Sequence, residues 1–134
     1  MVQYIFNRVS LDLSKQPAIM GILNVTPDSF YEASRVRAKD QFLRRAESMV
    51  AAGALILDIG GESSRPGASP VSVDEEGERV LWAVSLASEF PAIISIDTRH
   101  TAVARAAPMQ VPPRAAGTHC CGRPPPMTVT RFTN

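Results

Sequence analysis

The sequence predicts an α/β fold: a short β-hairpin followed by three β-strand, loop and α-helix units that open a (β/α) barrel. Nearly continuous apolar runs, typical of strands covered on both faces in a parallel sheet, alternate with amphipathic helical segments. Each run ends in a polar residue, and these ends, Asn24, Asp58 and Asp97, recur at intervals near the roughly 30-residue repeat of a (β/α) barrel. A doubly wound open sheet uses the same local pattern, so periodicity alone does not exclude it.

Local signals set the limits of each element. Two segments with alternating faces open the chain as a hairpin would. Gly53 follows the first helix and suits the left-handed conformation that ends helices. Ser72 and Glu75 have the spacing of a capping box ahead of the second helix. The predicted elements are the hairpin segments Tyr4–Phe6 and Val9–Leu13, the strands Ala18–Asn24, Ala54–Ile59 and Ala92–Asp97, a helix over Gln41–Ala52 with Phe42, Ala46, Met49 and Val50 on one face, a helix after Ser72 with Val80, Ala83, Val84 and Ala87 on one face, and a helix over Thr101–Ala107.

The three polar strand ends predict a single site. In parallel α/β folds ligands bind at the carboxyl ends of the strands, so Asn24, Asp58 and Asp97 are expected to converge. One such residue alone is more often a turn or helix-cap residue than a ligand. Three in corresponding positions favour a binding site.

Two loops that follow the first two strands add chemistry to this site. The second loop, residues 60–67, contains two glycines that allow close approach of the backbone to a ligand, two serine hydroxyls, and Arg65. The planar guanidinium group of arginine suits phosphate or carboxylate groups. The loop is therefore predicted to bind an anion, and a polar surface turn with an incidental arginine is the alternative.

Three stretches of the sequence resemble dihydropteroate synthase. They are Met20–Phe30 (MGILNVTPDSF), Asp58–Ala68 (DIGGESSRPGA) and Ile94–Thr98 (ISIDT), and the resemblance extends over residues 4 to about 107. It implies a TIM (β/α)₈ barrel. It also implies a reaction of folate synthesis, in which p-aminobenzoate displaces pyrophosphate from 6-hydroxymethyl-7,8-dihydropterin pyrophosphate to give 7,8-dihydropteroate.

The resemblance implies roles for the three strand ends. Asn24 matches the family's Mg²⁺ ligand near the pyrophosphate, and an amide oxygen is a donor that this hard cation accepts. Asp58 and Asp97 match carboxylates that contact the pterin, where they face the hydrogen-bond donors of the aminopyrimidinone edge.

The resemblance also implies roles for five loop residues. Ser64 and Arg65 match contacts to the pyrophosphate or to p-aminobenzoate. Phe30 and Pro66 match walls of the p-aminobenzoate subsite, where sulfonamides bind as well. No residue is predicted to act as a general acid or base; Asp28 is the candidate for stabilising the cation that develops on the pterin.

Composition excludes several classes of partner. The chain has 134 residues and a formal net charge of +1, so no strong electrostatic field predicts binding to nucleic acid or to an anionic membrane. No apolar stretch approaches the roughly 20 residues of a membrane helix, and a cytoplasmic location is expected. The only cysteines, Cys120 and Cys121, are adjacent and predict neither a disulfide framework nor a spaced metal site.

Residues 108–134 differ from the rest of the chain. They hold six of its 11 prolines and none of its 13 acidic residues, and they are predicted to be disordered. The predicted division is a truncated pterin-binding barrel domain over 1–107 and a non-family tail over 108–134, for which a frameshift or an assembly error is a hypothesis. On this interpretation the barrel is incomplete, the family's dimer interface is absent from the chain, and the chain alone has no synthase activity.

Two other functions remain as alternatives. The first is a pterin-binding domain of a folate-dependent methyltransferase, which shares the barrel and related strand-end residues; the anion-binding loop favours the synthase. The second is a fragment without enzymatic function. Calorimetry with pterin pyrophosphate and Mg²⁺ distinguishes a binding fragment from an inert one.

Overall fold

A computed structural model of the chain describes residues 3–6, 9–14, 17–25, 35–62, 70–107 and 127–132. Strands and helices alternate along most of this length, as predicted. The elements are β1 (Gln3–Phe6), β2 (Val9–Asp12), β3 (Met20–Asn24), α1 (Arg35–Ala51), β4 (Ile56–Gly60), α2 (Val73–Ala87), β5 (Ile93–Thr98), α3 (Thr101–Ala106) and β6 (Met127–Phe132).

The strands form two sheets. β1 and β2 pair antiparallel as a two-stranded sheet, with Phe6 opposite Val9. The other four strands form a parallel sheet in the order β3-β4-β5-β6, which is also their order along the chain. A doubly wound sheet reverses its strand order at one point, whereas a (β/α) barrel does not. Within the four described strands the order does not reverse, which favours the barrel.

The prediction that no regular structure follows Ala107 is wrong for Met127–Phe132. These residues form β6 and pair parallel with β5, with Met127 opposite Ile93 and Phe132 opposite Thr98. A strand edge offers unpaired backbone groups, and the sequence Met-Thr-Val-Thr-Arg-Phe is rich in β-branched and aromatic residues, which fit a pleated sheet. The predicted disorder of residues 108–126, 133 and 134 concerns positions outside the described residues.

The first helix is longer than predicted. It begins at Arg35 rather than Gln41, because the apolar spacing continues backward by one turn from Phe42 to Ala38, and both side chains are buried. It ends at Ala51, one residue before the predicted Ala52, and Gly53 follows it as predicted. Gly53 has a φ of 98°, the left-handed conformation that glycine adopts without strain, and its amide donates to the carbonyl of Val50 at 3.0 Å.

The second helix has the predicted N-terminal cap. Ser72 Oγ accepts a hydrogen bond from the amide of Glu75 at 3.3 Å, as one half of a capping box requires. The Glu75 side chain does not complete the box; it pairs with Arg79 one turn later. Three acidic residues in the first turn, Asp74 to Glu76, complement the positive end of the helix dipole.

One face of the parallel sheet packs against the helices and forms the core. The rings of Phe42 and Trp82, from α1 and α2, lie 5.7 Å apart at 59°, a tilted arrangement that joins the two helices. On the other face of β3, Met20 and Ile22 are 39% and 56% exposed. No helix in the described ranges is long and apolar enough to cross a membrane. The core comprises Leu23, Leu57, Ile59, Ile94 and Ile96 from the strands together with Phe42, Ala46, Val80, Ala83, Val84, Ala87 and Val103 from the helices.

Candidate pterin and pyrophosphate site

The register of the parallel sheet places the three polar strand ends on one face. Asn24 pairs with Gly60, and Gly60 pairs with Asp97; two residues earlier along the strands, Asp58 pairs with Ser95. Paired residues in parallel strands point to the same side, and residues two apart along a strand do so as well. Asn24, Asp58 and Asp97 therefore share the face of the sheet opposite the helices, as their positions in the sequence predicted.

The two carboxylates of this face each have an oxygen atom without a partner among the described residues. Asp58 is 4% exposed and Asp97 is half-buried. Oδ1 of each is shielded from solvent and accepts no hydrogen bond from any described residue. Buried oxygens of this kind cost free energy unless a donor reaches them, and they are rare in native proteins. Two of them on one face mark a place where a ligand with hydrogen-bond donors fits.

Asn24 occupies the edge of the same face, where β3 ends. Its side chain is exposed, and a Cβ atom placed on Gly60 would lie only 3.1 Å from Asn24 Oδ1. Glycine at position 60 therefore leaves room for the Asn24 carboxamide beside the next strand. The amide of Val25 donates to the Gly60 carbonyl at 2.8 Å, which fixes the ends of these two strands relative to each other.

The segment that follows β4 is held against α2. A Cβ atom on Gly61 would lie 2.8 Å from both Glu76 Cγ and Val80 Cγ2, so the backbone passes closer to the helix than any other residue allows. Arg79, 2% exposed, donates from Nη1 to the Gly61 carbonyl at 3.3 Å. On the other side of this segment, Glu62 Oε1 accepts from Arg99 Nη2 at 2.8 Å. These contacts fix the start of the predicted anion-binding loop.

A family model described as a pterin-binding enzyme matches residues 20–110, more than half of the chain. The chain belongs to this family. Dihydropteroate synthase of Escherichia coli K12 is 50% identical over 97 residues, which cover 72% of this chain and 34% of the relative. The family resemblance drawn from the sequence motifs is thereby confirmed.

Solved structures agree with the sequence comparison. The crystal structure of 7,8-dihydropteroate synthase from Vibrio fischeri matches with a TM-score of 0.68 and 44% identity, covering 80% of this chain and 38% of that one. The Burkholderia cenocepacia dihydropteroate synthase, solved as a complex with 7,8-dihydropteroate, matches with a TM-score of 0.61 and 49% identity over 75% of this chain and 32% of that one. The chain thus spans about a third of the length of these pterin-binding enzymes.

The five loop residues to which the family resemblance assigns roles lie outside the described residues. They are Asp28 and Phe30 after β3, and Ser64, Arg65 and Pro66 after β4. Their roles therefore stay predictions. The structure brings together the strand-end half of the predicted site, Asn24, Asp58 and Asp97, and the first residues of the second loop.

The sequence interpretation missed three charged or polar residues that the structure places beside the second loop. Glu76 and Arg79 are 1% and 2% exposed, and His100, at the N-terminal cap position of α3, lies with Nδ1 2.5 Å from Glu76 Oε2. A signal was present: Glu76 precedes Val80 by four residues and Ala83 by seven, so it belongs to the apolar face of α2. Charged side chains on such a face indicate a buried polar network.

Two sets of residues have atoms that suit a cation. Asn24 has an amide oxygen at an exposed strand end, next to Gly60, which has no side chain to fill the adjacent space. Mg²⁺ needs few protein oxygens when phosphate and water supply its other ligands. The Asn24 position therefore fits Mg²⁺. The second set is Glu62, Glu76 and His100, whose possible ligand atoms lie within 4.8 Å of one another. However, Glu62 pairs with Arg99, and Glu76 is hydrogen-bonded to His100.

Proposed function

We propose that this chain forms the pterin- and pyrophosphate-binding part of a dihydropteroate synthase. The observation that carries the proposal is the pair of buried Oδ1 atoms of Asp58 and Asp97, which lie on the face that Asn24 also occupies and accept no hydrogen bond within the described part of the chain. The relatives support the same reaction: the Burkholderia enzyme was solved with the product, 7,8-dihydropteroate, and the Xanthomonas albilineans enzyme with the substrate 4-aminobenzoic acid.

The carboxylates of Asp58 and Asp97 would bind the pterin. The aminopyrimidinone ring of a pterin carries N–H groups along one edge, and a buried carboxylate oxygen is a strong acceptor for them. Asp58 lies two residues deeper in the register than Asp97, so the two acceptors are offset along the strands. This arrangement orients a flat ring against the sheet, with its methylene group toward the carboxyl ends of the strands.

Asn24 would hold Mg²⁺ at the strand ends, next to the pyrophosphate. When bound, Mg²⁺ neutralises the charge that accumulates on pyrophosphate as the bond from its oxygen to the methylene carbon breaks. The backbone from Gly60 to Glu62, fixed by Arg79 and Arg99, would place the following loop beside the same group. Ser64 and Arg65 in that loop remain the proposed anion contacts.

The chemistry requires positioning more than proton transfer. The nitrogen lone pair of p-aminobenzoate forms a bond to the methylene carbon, the carbon–oxygen bond to pyrophosphate breaks, and the amine loses one proton. Stabilising the pterin cation and the leaving group lowers the barrier. In this proposal Asp28 faces the cation, and Phe30 and Pro66 enclose p-aminobenzoate; these three roles follow from the family motifs.

A binding experiment with a matched control tests the proposal. Isothermal titration calorimetry of the chain with 6-hydroxymethyl-7,8-dihydropterin pyrophosphate and Mg²⁺ should give saturable binding, and Asp97→Asn should weaken it about tenfold or more. Asp40→Asn, on the exposed surface of α1, has the same charge change and should bind like the wild type. Equal affinity of the wild type and Asp97→Asn, or no binding by the wild type, would overturn the proposal. The absence of synthase activity from the chain alone stays a prediction, which a turnover assay with p-aminobenzoate addresses.

A further inference from the structure

We propose that a cavity beside the end of β3 binds a small aromatic carboxylate. The cavity has a volume of about 230 Å³ and lies between residues 23–25, the helix α1 and Trp82 of α2. Of the lining residues that the structure describes, Asn24 alone is shared with the face that carries Asp58 and Asp97. The cavity is therefore separate from the pterin site, and the proposal stands independently of the function proposed above.

The inner part of the cavity is apolar and has room for one ring. Leu23, Val25 and Phe42 are buried. The rings of Phe42 and Trp82 form a tilted pair, against which a third aromatic ring packs favourably in an offset or edge-to-face arrangement. An apolar cavity of roughly 150 Å³ holds benzene. The larger volume of this cavity therefore accommodates one aromatic ring with a small substituent.

Arg45 determines which substituent the ring should carry. It is the only charged residue among the described lining residues, and it is exposed, so a ligand from solvent can reach it. Within the described part of the chain it forms no ion pair. A guanidinium group binds a carboxylate through two parallel N–H···O bonds, and the neighbouring Gln41 amide is a further donor. The ring and the carboxylate of one ligand can therefore be bound together.

The sequence of α1 explains why Arg45 has no carboxylate beside it. The residues three and four positions before and after it, which are its neighbours on the helix surface, are all uncharged. Arg44 differs, because Asp40 precedes it by four residues and Glu47 follows it by three. Arg44 does not line this cavity. The two adjacent arginines are therefore a matched pair for experiment.

Charge and shape disfavour other ligands of similar size. Arg45 repels a cation, and a neutral ring lacks the charge-assisted hydrogen bond. A small anion without a ring leaves the apolar walls unfilled and gains nothing from burial of apolar surface. The class that remains includes p-aminobenzoate, but the p-aminobenzoate subsite of the proposed function is predicted beside Phe30 and Pro66. The cavity is a second place for ligands of this class.

Trp82 reports binding directly because it is the only tryptophan of the chain. Its fluorescence is followed while the full chain is titrated with benzoate, benzamide or acetate at constant ionic strength. Benzoate should give a saturable change. Benzamide, which lacks the charge, should bind about tenfold more weakly, and acetate, which lacks the ring, should give no saturable change. No saturable change with benzoate, or equal affinities for benzoate and benzamide, would overturn the proposal.

Substitutions of the two arginines test the contact to the carboxylate. Arg45→Gln should weaken benzoate binding about tenfold, and Arg45→Lys, which keeps the charge without the planar fork, should have an intermediate affinity. Arg44→Gln has the same change in net charge as Arg45→Gln and should bind benzoate like the wild type. Equal losses in the two glutamine variants, or no loss in Arg45→Gln, would contradict the site. If Arg45→Gln fails to fold, the comparison of Arg45→Lys with Arg44→Gln decides the question.

Two further measurements locate the bound benzoate. In NMR spectra its ring protons should show nuclear Overhauser effects to the rings of Phe42 and Trp82, and their absence at saturating benzoate would overturn the proposed location. Phe30→Ala, at the predicted p-aminobenzoate subsite, should leave the benzoate titration of Trp82 unchanged. Weaker binding in Phe30→Ala with normal binding in Arg45→Gln would assign the benzoate to the substrate subsite and refute the second site. Neither measurement uses a pterin or Mg²⁺, so failure of the proposed function would not alter these results.

Discussion

Replacing Gly61 by alanine should destabilise the chain although alanine is otherwise favoured over glycine. The new Cβ atom would lie 2.8 Å from Glu76 Cγ and Val80 Cγ2 and 3.2 Å from the Glu76 carbonyl oxygen. Val80 is fully buried and Glu76 is held by His100, so neither side chain can move away. Overpacking of this kind costs about 1–3 kcal/mol, and the lower entropy of unfolded alanine returns roughly 0.4–1 kcal/mol. The free energy of unfolding should therefore fall by about 1–2 kcal/mol.

Gly77→Ala is the matched control for Gly61→Ala. Gly77 lies inside α2, and an added Cβ atom there meets no atom of the described residues within 4 Å. Alanine stabilises a helix interior by roughly 0.5–1 kcal/mol relative to glycine. Urea denaturation followed by far-UV circular dichroism measures both variants. A Gly61→Ala protein as stable as the wild type, or losses of equal size in the two variants, would refute the packing deduced for residue 61.

Three further substitutions test the cap and the site. Ser72→Ala should lower the free energy of unfolding by about 1 kcal/mol, because the Glu75 amide loses its acceptor; an unchanged urea midpoint would contradict the cap. Asn24→Ala should weaken calorimetric binding of pterin pyrophosphate about tenfold in Mg²⁺ and have no effect without the metal. Asp58→Asn should reduce pterin affinity yet raise the free energy of unfolding by roughly 1 kcal/mol, since it removes the charge of a buried carboxylate, one oxygen of which has no partner among the described residues; a loss of stability in denaturation would show that the carboxylate is satisfied.

The strand-end half of the site could be predicted because it depends on two simple regularities. Buried parallel strands have continuous apolar sequences, so their ends are visible where Asn24, Asp58 and Asp97 interrupt the pattern. Side chains alternate along a strand, and neighbouring strands align in register. From these regularities alone the three residues were expected to converge, and the register places them on one face of the sheet.

The buried charges of α2 could not be predicted with the same ease. Glu76 and Arg79 belong to a run of charged residues at the start of a helix, which ordinarily lies in solvent. Their burial depends on contacts with Gly61, which precedes Glu76 by 15 residues and Arg79 by 18, and on the contact of Glu76 with His100; local periodicity does not contain these contacts. Tertiary packing decides such positions, and the same holds for β6, whose pairing depends on the free edge of β5.

The two faces of the parallel sheet explain why a stable chain and a binding site coexist in it. On the helix side, Leu57, Ile59 and Ile96 are fully buried and form the core that holds the strands in register. Because the register is fixed there, the opposite face can carry Asp58 and Asp97 with oxygens that no described residue satisfies. Burial of the apolar face offsets the free-energy cost of these two oxygens, and hydrogen bonds from a bound pterin would remove that cost. Binding of a pterin at this face would therefore raise the stability of the folded chain.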